Sequence, residues 1–397
     1  MRVLFIDYIK EEIGGGHFVL ARLANYYQNR QELGIRPYVW LNNYAGFVDK
    51  FLDKKIPYYH YEIPASILKL DRTLRLKDLI LRICLIILFW FIFGVRLCTF
   101  CKRNNIRIVH ANSTTAFIFS SIPVKLFRIK LIYHLHDALI TSDRGGNFNK
   151  SALSLIIFFI KYFSDEVIVV SNFVKNTVLQ LDKKLDKKVH VIHNGVELRS
   201  LDKMHFSQDK YGANKKKLKL LSFGVLSERK GFHLGIESIS ILKHKYSTDL
   251  EYQILGDGYY KTDLVKLAQD LGVKEEVQFL GFQENVHAYI KQADFIIIPS
   301  VWQDPLPLSV IESMQHGKVV IATKRGGIPE MIENGVTGFL VPLDNAPQEI
   351  AKRIVYLLKH PQLMKKVGQN ATQRVKEYFN IERMAKEILQ VYLSSIR

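Results

Sequence analysis

Residues 299–331 read PSVWQDPLPLSVIESMQHGKVVIATKRGGIPEM, and the order of apolar and polar runs fits strand, loop, helix, strand, loop. Asp304 and Glu312 stand eight positions apart with mostly apolar residues between them, and Gly326-Gly327 with Glu330 follows the second strand. This order puts the polar points at one end of a parallel sheet, the end at which α/β folds bind ligands.

The same alternation extends both ways. Towards the C-terminal side and immediately upstream, strands are predicted at Leu218–Phe223, Glu251–Leu255, Val277–Leu280, Phe295–Pro299, Val319–Thr323 and Gly338–Val341, with helices such as Leu234–His244 and Lys261–Leu271 between them. The first half predicts strands at Val3–Ile6, Arg36–Leu41, Ile106–His110, Lys130–His134, Glu166–Val170 and Val189–His193, with a helix at Phe18–Gln28. Strand and helix in alternation mean a parallel, doubly wound sheet. The expected architecture is therefore α/β, two Rossmann-like domains with parallel sheets: 1–200, a polar, lysine-rich linker at 201–217, 218–380, and a final amphipathic helix in 381–397.

Length and charge bound the function. A chain of 397 residues exceeds what one core usually organises. The net charge of +18 is uneven, with 29 Lys/Arg against 16 Asp/Glu in residues 1–199, and a basic first half suits an anionic partner. No aromatic–basic pattern of the nucleic-acid-binding kind accompanies it, so nucleic acid is not expected. Three cysteines make no disulfide framework, and the lone pair Cys98 and Cys101 lacks two further ligands at zinc spacing, so a reducing, cytoplasmic setting without structural metal is expected. The run ICLIILFWFIFGV (Ile83–Val95) is bounded by Arg82 and Arg96. As a helix its 13 residues reach about 20 Å, short of the ~30 Å hydrocarbon core, so it is not expected to cross a bilayer.

Five further motifs stand out. Gly14-Gly15-Gly16 lies between the first strand and first helix, where glycines let backbone amides approach a ligand; its spacing is not that of a dinucleotide fingerprint. YHLHD puts His134, His136 and Asp137 at a strand end, where His136 can hydrogen-bond substrate hydroxyls and Asp137 can orient the loop. FGVLSERKG holds Gly224, Arg229, Lys230 and Gly231, two cations at a helix start that suit a diphosphate. ILGDGYY (Gly256, Asp257, Gly258) and VIHNGVEL (Asn194, Gly195) are strand-end turns. No Asp-x-Asp pair occurs anywhere, so cationic side chains rather than a chelated metal are expected to hold any leaving diphosphate.

Taken in order, these motifs resemble glycosyltransferase family 4, the retaining enzymes with the GT-B fold. The resemblance implies two Rossmann-like domains facing across a cleft, the donor nucleotide-sugar held mainly by the second, and a C-terminal helix returning to the first. It implies that Arg229 and Lys230 neutralise the donor diphosphate, that Glu312 binds the ribose, and that Asp304 faces the sugar. His136 matches the family histidine near the reacting sugar. Gly15, Gly16, Gly224, Gly256, Leu308, Gly326 and Gly327 would also meet the donor, the amides around Gly326-Gly327 directly. Two departures stand out: Asp304 replaces the usual Glu, and Val225 occupies the position after Gly224 where the family usually has Arg, which leaves Arg229 to supply that charge.

The implied reaction is transfer of a sugar from a nucleotide-sugar to an acceptor hydroxyl with retention, independent of metal or other cofactor, and it resembles bacterial polysaccharide or lipopolysaccharide biosynthesis. Lys69, Arg72, Arg75, Lys77 and Arg82 precede the apolar run, a pattern suited to an anionic membrane surface and a lipid-linked acceptor. A helix buried under the sheet is the alternative for that run. For the whole chain, a nucleotide-sugar epimerase on the same fold and a non-catalytic nucleotide-binding scaffold stay open.

Overall fold

A computed structural model describes residues 1–8, 14–42, 51–61, 76–141, 148–198 and 217–397. The expected linker lies outside the described residues except for Lys217, as do Lys69, Arg72 and Arg75. The chain forms two compact units, Met1–Gly195 with Ile381–Arg397, and Val196–Asn380.

In the first unit the described strands β1 (Arg2–Asp7), β2 (Arg36–Asn42), β3 (Tyr58–Tyr61), β4 (Ile108–Ala111), β5 (Lys130–Leu135), β6 (Glu166–Val169) and β7 (Val189–Val191) form one parallel sheet in the order β3-β2-β1-β4-β5-β6-β7. Its helices are α1 (Gly15–Asn29), α2 (Leu76–Arg103), α3 (Thr114–Leu126), α4 (Lys150–Phe163) and α5 (Asn172–Leu181). The apolar run of β1, Val3 to Ile6, is fully buried, as a central parallel strand covered on both faces requires. β3 has the sequence YYHY with three exposed residues, so an apolar-run search passes over it.

In the second unit β8 (Leu218–Phe223), β9 (Leu250–Leu255), β10 (Val277–Gly281), β11 (Phe295–Ile298), β12 (Val319–Thr323) and β13 (Phe339–Val341) run in the order β10-β9-β8-β11-β12-β13, again all parallel. Helices α6 (Phe232–Tyr246), α7 (Lys261–Asp270), α8 (Val286–Gln292), α9 (Leu308–Gln315), α10 (Ile328–Met331), α11 (Ala346–Leu358) and α12 (Pro361–Tyr378) connect and cover them. One face packs Leu220, Tyr252, Ile254, Phe295, Ile297 and Ile321 against the buried stripes of α6 and α11.

The last helix, α13 (Ile381–Ile396), belongs to the first unit. There the Tyr27 hydroxyl of α1 donates to the Ala385 carbonyl at 2.6 Å, and the Arg383 guanidinium donates to the His193 carbonyl.

Ile83–Val95 belongs to a helix longer than its flanking arginines suggest. The helix does not stop at Arg82 and Arg96 but runs over Leu76–Arg103, 28 residues or about 42 Å, and by length and composition its Cys84–Arg103 part could cross a membrane. Nor is the helix simply buried. Phe93, Leu97, Cys98 and Cys101 face the interior, while Leu85, Ile87, Leu88, Phe91, Ile92 and Val95 are exposed.

Candidate functional site

Both sheets reverse their winding once. The switch lies between β1 and β4 in the first unit and between β8 and β11 in the second. At such a point the loops leaving neighbouring strands turn to opposite faces, which opens a crevice at the carboxyl ends. The functional side chains collect at these two places.

In the first unit Asp7 ends β1, Asn112 follows β4 and His136 follows β5. The turn after β1 enters α1 at Gly15 and Gly16, with Gly14 at the cap. Gly16 is dictated by contact: a Cβ there would stand 3.0 Å from Cγ of His136. Asn112 donates from Nδ2 to Asp7 Oδ2 at 2.8 Å and to the Gly16 carbonyl at 3.1 Å, and its Oδ1 lies 2.9 Å from His136 Nε2. Asp7 also accepts from the Tyr8 amide and from His17 Nδ1, at 2.8 and 2.7 Å. Burial by itself would raise the Asp7 carboxyl. The facing His17, with the donors His17, Asn112 and Ser113, outweighs burial and holds it below its ordinary value. His17 mirrors this: burial lowers it, but the Asp7 charge and hydrogen bond raise it overall.

Behind His136 lies a buried polar row. The Tyr392 hydroxyl of α13 meets His110 Nδ1 at 2.6 Å, and His110 Nε2 meets His134 Nδ1 at 3.1 Å. The His134 ring lies 4.1 Å from that of His136, centroid to centroid. Burial, and then the histidine neighbours, keep all three neutral: His110 is pushed down to about 3, and His134 and His136 fall well below the ordinary range. His136 lies at the open end of this row and His134 is fully enclosed within it. Asp7, His17 and Asn112 carried no role in the sequence reading. Their signal was positional, polar residues directly after β1 and β4.

In the second unit Gly224 and Gly256 close β8 and β9, with the Gly224 amide donating to the Leu255 carbonyl at 3.0 Å. Arg229 and Lys230 sit in a short 3-10 turn before α6. The Arg229 carbonyl accepts from the amides of both Val301 and Trp302 at 3.1 Å, and its guanidinium lies 4.6 Å from the Trp302 ring centroid, a cation–π contact. The Lys230 ammonium pairs with Asp304 Oδ2 at 2.5 Å, and the Asp304 side chain is only 7% exposed. Two cations and one carboxylate are thus laced across the β8/β11 switch. Leu308 opens α9, and Glu312 lies half-buried one turn further on.

The Gly326 amide donates to Gln303 Oε1 at 2.9 Å and the Gly327 amide to the Asp304 carbonyl at 2.8 Å. Gly326 is present because its φ is +53° and a Cβ would strike the Asp304 carbonyl oxygen at 2.2 Å. The glycine pair therefore clamps the loop that carries Asp304.

Cys98 and Cys101 are buried thiols, Cys98 raised to about 11 by burial and Cys101 raised further. Such thiols are inert packing residues at neutral pH.

Residues 13–200 match the family described as Glycosyltransferase Family 4, and residues 204–374 match Glycosyl transferases group 1. The chain is 27% identical over 304 residues to the N-acetyl-alpha-D-glucosaminyl L-malate synthase of Bacillus anthracis, covering 75% of this chain and 77% of that one. It is 30% identical over 172 residues to the amylovoran biosynthesis glycosyltransferase AmsK of Erwinia amylovora, 40% of each chain. A crystal structure of Anabaena HepE in complex with UDP and glucose matches the fold with a TM-score of 0.77 at 22% identity over 99% of each chain. The chain belongs to the family 4 glycosyltransferases and has their GT-B architecture of two parallel-sheet Rossmann-like domains.

Proposed function

We propose that the chain is a retaining, metal-independent glycosyltransferase that moves a sugar from a uridine-diphosphate donor to a hydroxyl of a lipid-linked or polysaccharide precursor. The observation that carries this is the convergence of Arg229, Lys230 and the buried Asp304 at the β8/β11 switch. Lys230 supplies a compact charge to the leaving diphosphate, Arg229 adds a bidentate one, and Asp304 holds Lys230 and accepts from a sugar hydroxyl. Glu312 takes the ribose hydroxyls. The acceptor oxygen attacks the anomeric carbon from the face the diphosphate leaves. The anomeric C–O bond breaks as the new one forms, and the departing phosphate oxygen takes the acceptor's proton. His136 hydrogen-bonds a substrate hydroxyl in the first unit. The complexes of HepE with UDP and with UDP-glucose support a uridine donor. The absence of any Asp-x-Asp pair supports a cation-based rather than chelate-based site.

The test is a panel of UDP-sugars assayed with and without chelator. Lys230→Ala is expected to lower kcat by about 10²–10³, the scale for removing one charge-stabilising donor. Unchanged turnover in Lys230→Ala and Glu312→Ala, or activity abolished by chelator and restored by magnesium, would overturn the reading.

The membrane side of the proposal rests on the first unit. From residue 79 to 136 there are eight Lys/Arg and no Asp or Glu. Within this stretch α2 exposes its apolar face, and α4 adds exposed Leu155, Phe158 and Tyr162. Trp90 of α2 meets Phe159 of α4 with ring centroids 6.0 Å apart, so the two helices share a layer. Apolar stripes among cations suit a peripheral position on the anionic inner face of the cell membrane.

A further inference from the structure

The geometry points to Asn112 as a positioning residue that holds His136 in its Nε2–H tautomer, so that the ring presents Nδ1 to the substrate as a hydrogen-bond acceptor. The inference rests on the proposed contact between His136 and a substrate hydroxyl, and it assigns the direction of that bond.

The tautomer follows from the partners of the Asn112 amide. One end of the amide faces two oxygens, Asp7 Oδ2 at 2.8 Å and the Gly16 carbonyl at 3.1 Å. The carbonyl is acceptor only, and Asp7 is held ionised by His17, so that end of the amide is the NH₂ group. The other end, 2.9 Å from His136 Nε2, is then the carbonyl oxygen Oδ1, which can only accept. His136 Nε2 must carry the proton. A neutral ring protonated on Nε2 has its lone pair on Nδ1.

The row behind His136 supports a neutral ring. The Tyr392 hydroxyl bonds His110 Nδ1 and His110 Nε2 bonds His134 Nδ1, a row in which each bond needs one proton and no ring needs a charge, and His134 Nε2 is buried with no hydrogen-bond partner. An additional charge on His136 would stand against that ring at 4.1 Å. The titratable groups around His136 are thus His134 beside it, Asp7 and His17 from β1 and α1, and His110 and Tyr392 behind. Asp7 alone favours a cation there, and burial and the two histidines outweigh it.

Two measurements test the inference on the full-length protein. Long-range ¹H–¹⁵N spectra of histidine-labelled protein at pH 7 report each ring's tautomer, with the His136 signals identified by their loss in His136→Ala. The expected result is the Nε2–H form in the wild type and a mixture of tautomers in Asn112→Leu. A predominant Nδ1–H form, or a pattern unchanged in Asn112→Leu, overturns the inference.

The second is a kinetic cycle of Asn112→Leu, His136→Ala and the double variant with a UDP-sugar. If Asn112 acts through His136, the double variant is no slower than His136→Ala, and Asn112→Leu lowers kcat at least ten-fold. Asn112→Asp, which keeps the acceptor but adds charge, is expected to move the acid limb of the pH profile upwards. Multiplying losses in the double variant overturn the positioning role. An Nε2–H tautomer combined with full activity of His136→Ala would instead remove the substrate role of His136 and leave the tautomer assignment standing.

Discussion

At the scale of single residues, Gly16 separates packing from activity. It lies in the first turn of α1, where Gly is less favourable than Ala by roughly 0.5–1 kcal/mol, yet its missing Cβ makes room for the His136 ring. Gly16→Ala is therefore expected to leave the thermal midpoint unchanged or slightly raised while lowering kcat several-fold, because the His136 ring must give by a few tenths of an ångström. A midpoint lowered by more than a few degrees with kcat intact would show the contact to be structural only. Asp304, Lys230 and His136 stand out in the sequence because ionisable groups in the turns that follow strands are costly unless used, and Glu312 by its spacing from Asp304. The Lys230–Asp304 pairing and the Asn112 bridge do not, since each joins side chains 74 or 24 positions apart in sequence.

At the scale of elements, α2 shows where apolar content misleads. A run of apolar residues is compatible with a core helix, a surface helix or a span, and only the neighbours decide which side chains are covered. Here α2 covers Phe93 and Leu97 and leaves Phe91 at 69% exposure and Leu88 at 53%. Leu88→Gln with Phe91→Gln is expected to reduce binding to anionic vesicles at least ten-fold at low salt, since each exposed side chain contributes on the order of 1.5–3 kcal/mol when buried in lipid, without lowering the thermal midpoint. Equal sedimentation with neutral and anionic vesicles, or a dimer lost in the same variant, would remove the membrane reading. The β-strands were easier to read than this helix. β12, VVIAT and buried throughout, coincides with its predicted span because a strand covered on both faces is a nearly continuous apolar run, whereas the exposed edge strand Tyr58–Tyr61 has no such signature.

At the scale of the whole molecule, stability carries the signature of the buried histidines. His110 is lowered from 6.5 to about 3, and His134 and His136 are lowered in the same direction, so below pH 6.5 the unfolded chain takes up protons that the folded chain refuses. Stability from these groups is present above pH 6.5 and declines as pH falls below it, because each lowered ring favours the neutral form in the folded state. His17 has the opposite sign, its contribution being full below 6.5 and lost as pH rises through its raised value. Denaturant unfolding is thus expected to show a maximum near neutral pH and a steep fall by pH 5, softened in His134→Gln. A flat profile from pH 7 to 5 would contradict neutral burial of the three rings. By itself the sequence determined the α/β class, the parallel winding of both halves and the family, because apolar periodicity and strand-end motifs are local and survive without knowledge of neighbours. Tertiary structure alone decided which side chains meet: Asn112 with His136, Lys230 with Asp304, the Gly326-Gly327 amides with their own loop, and the two faces of α2. Those contacts depend on how distant strands come to lie side by side, which no single stretch of chain encodes.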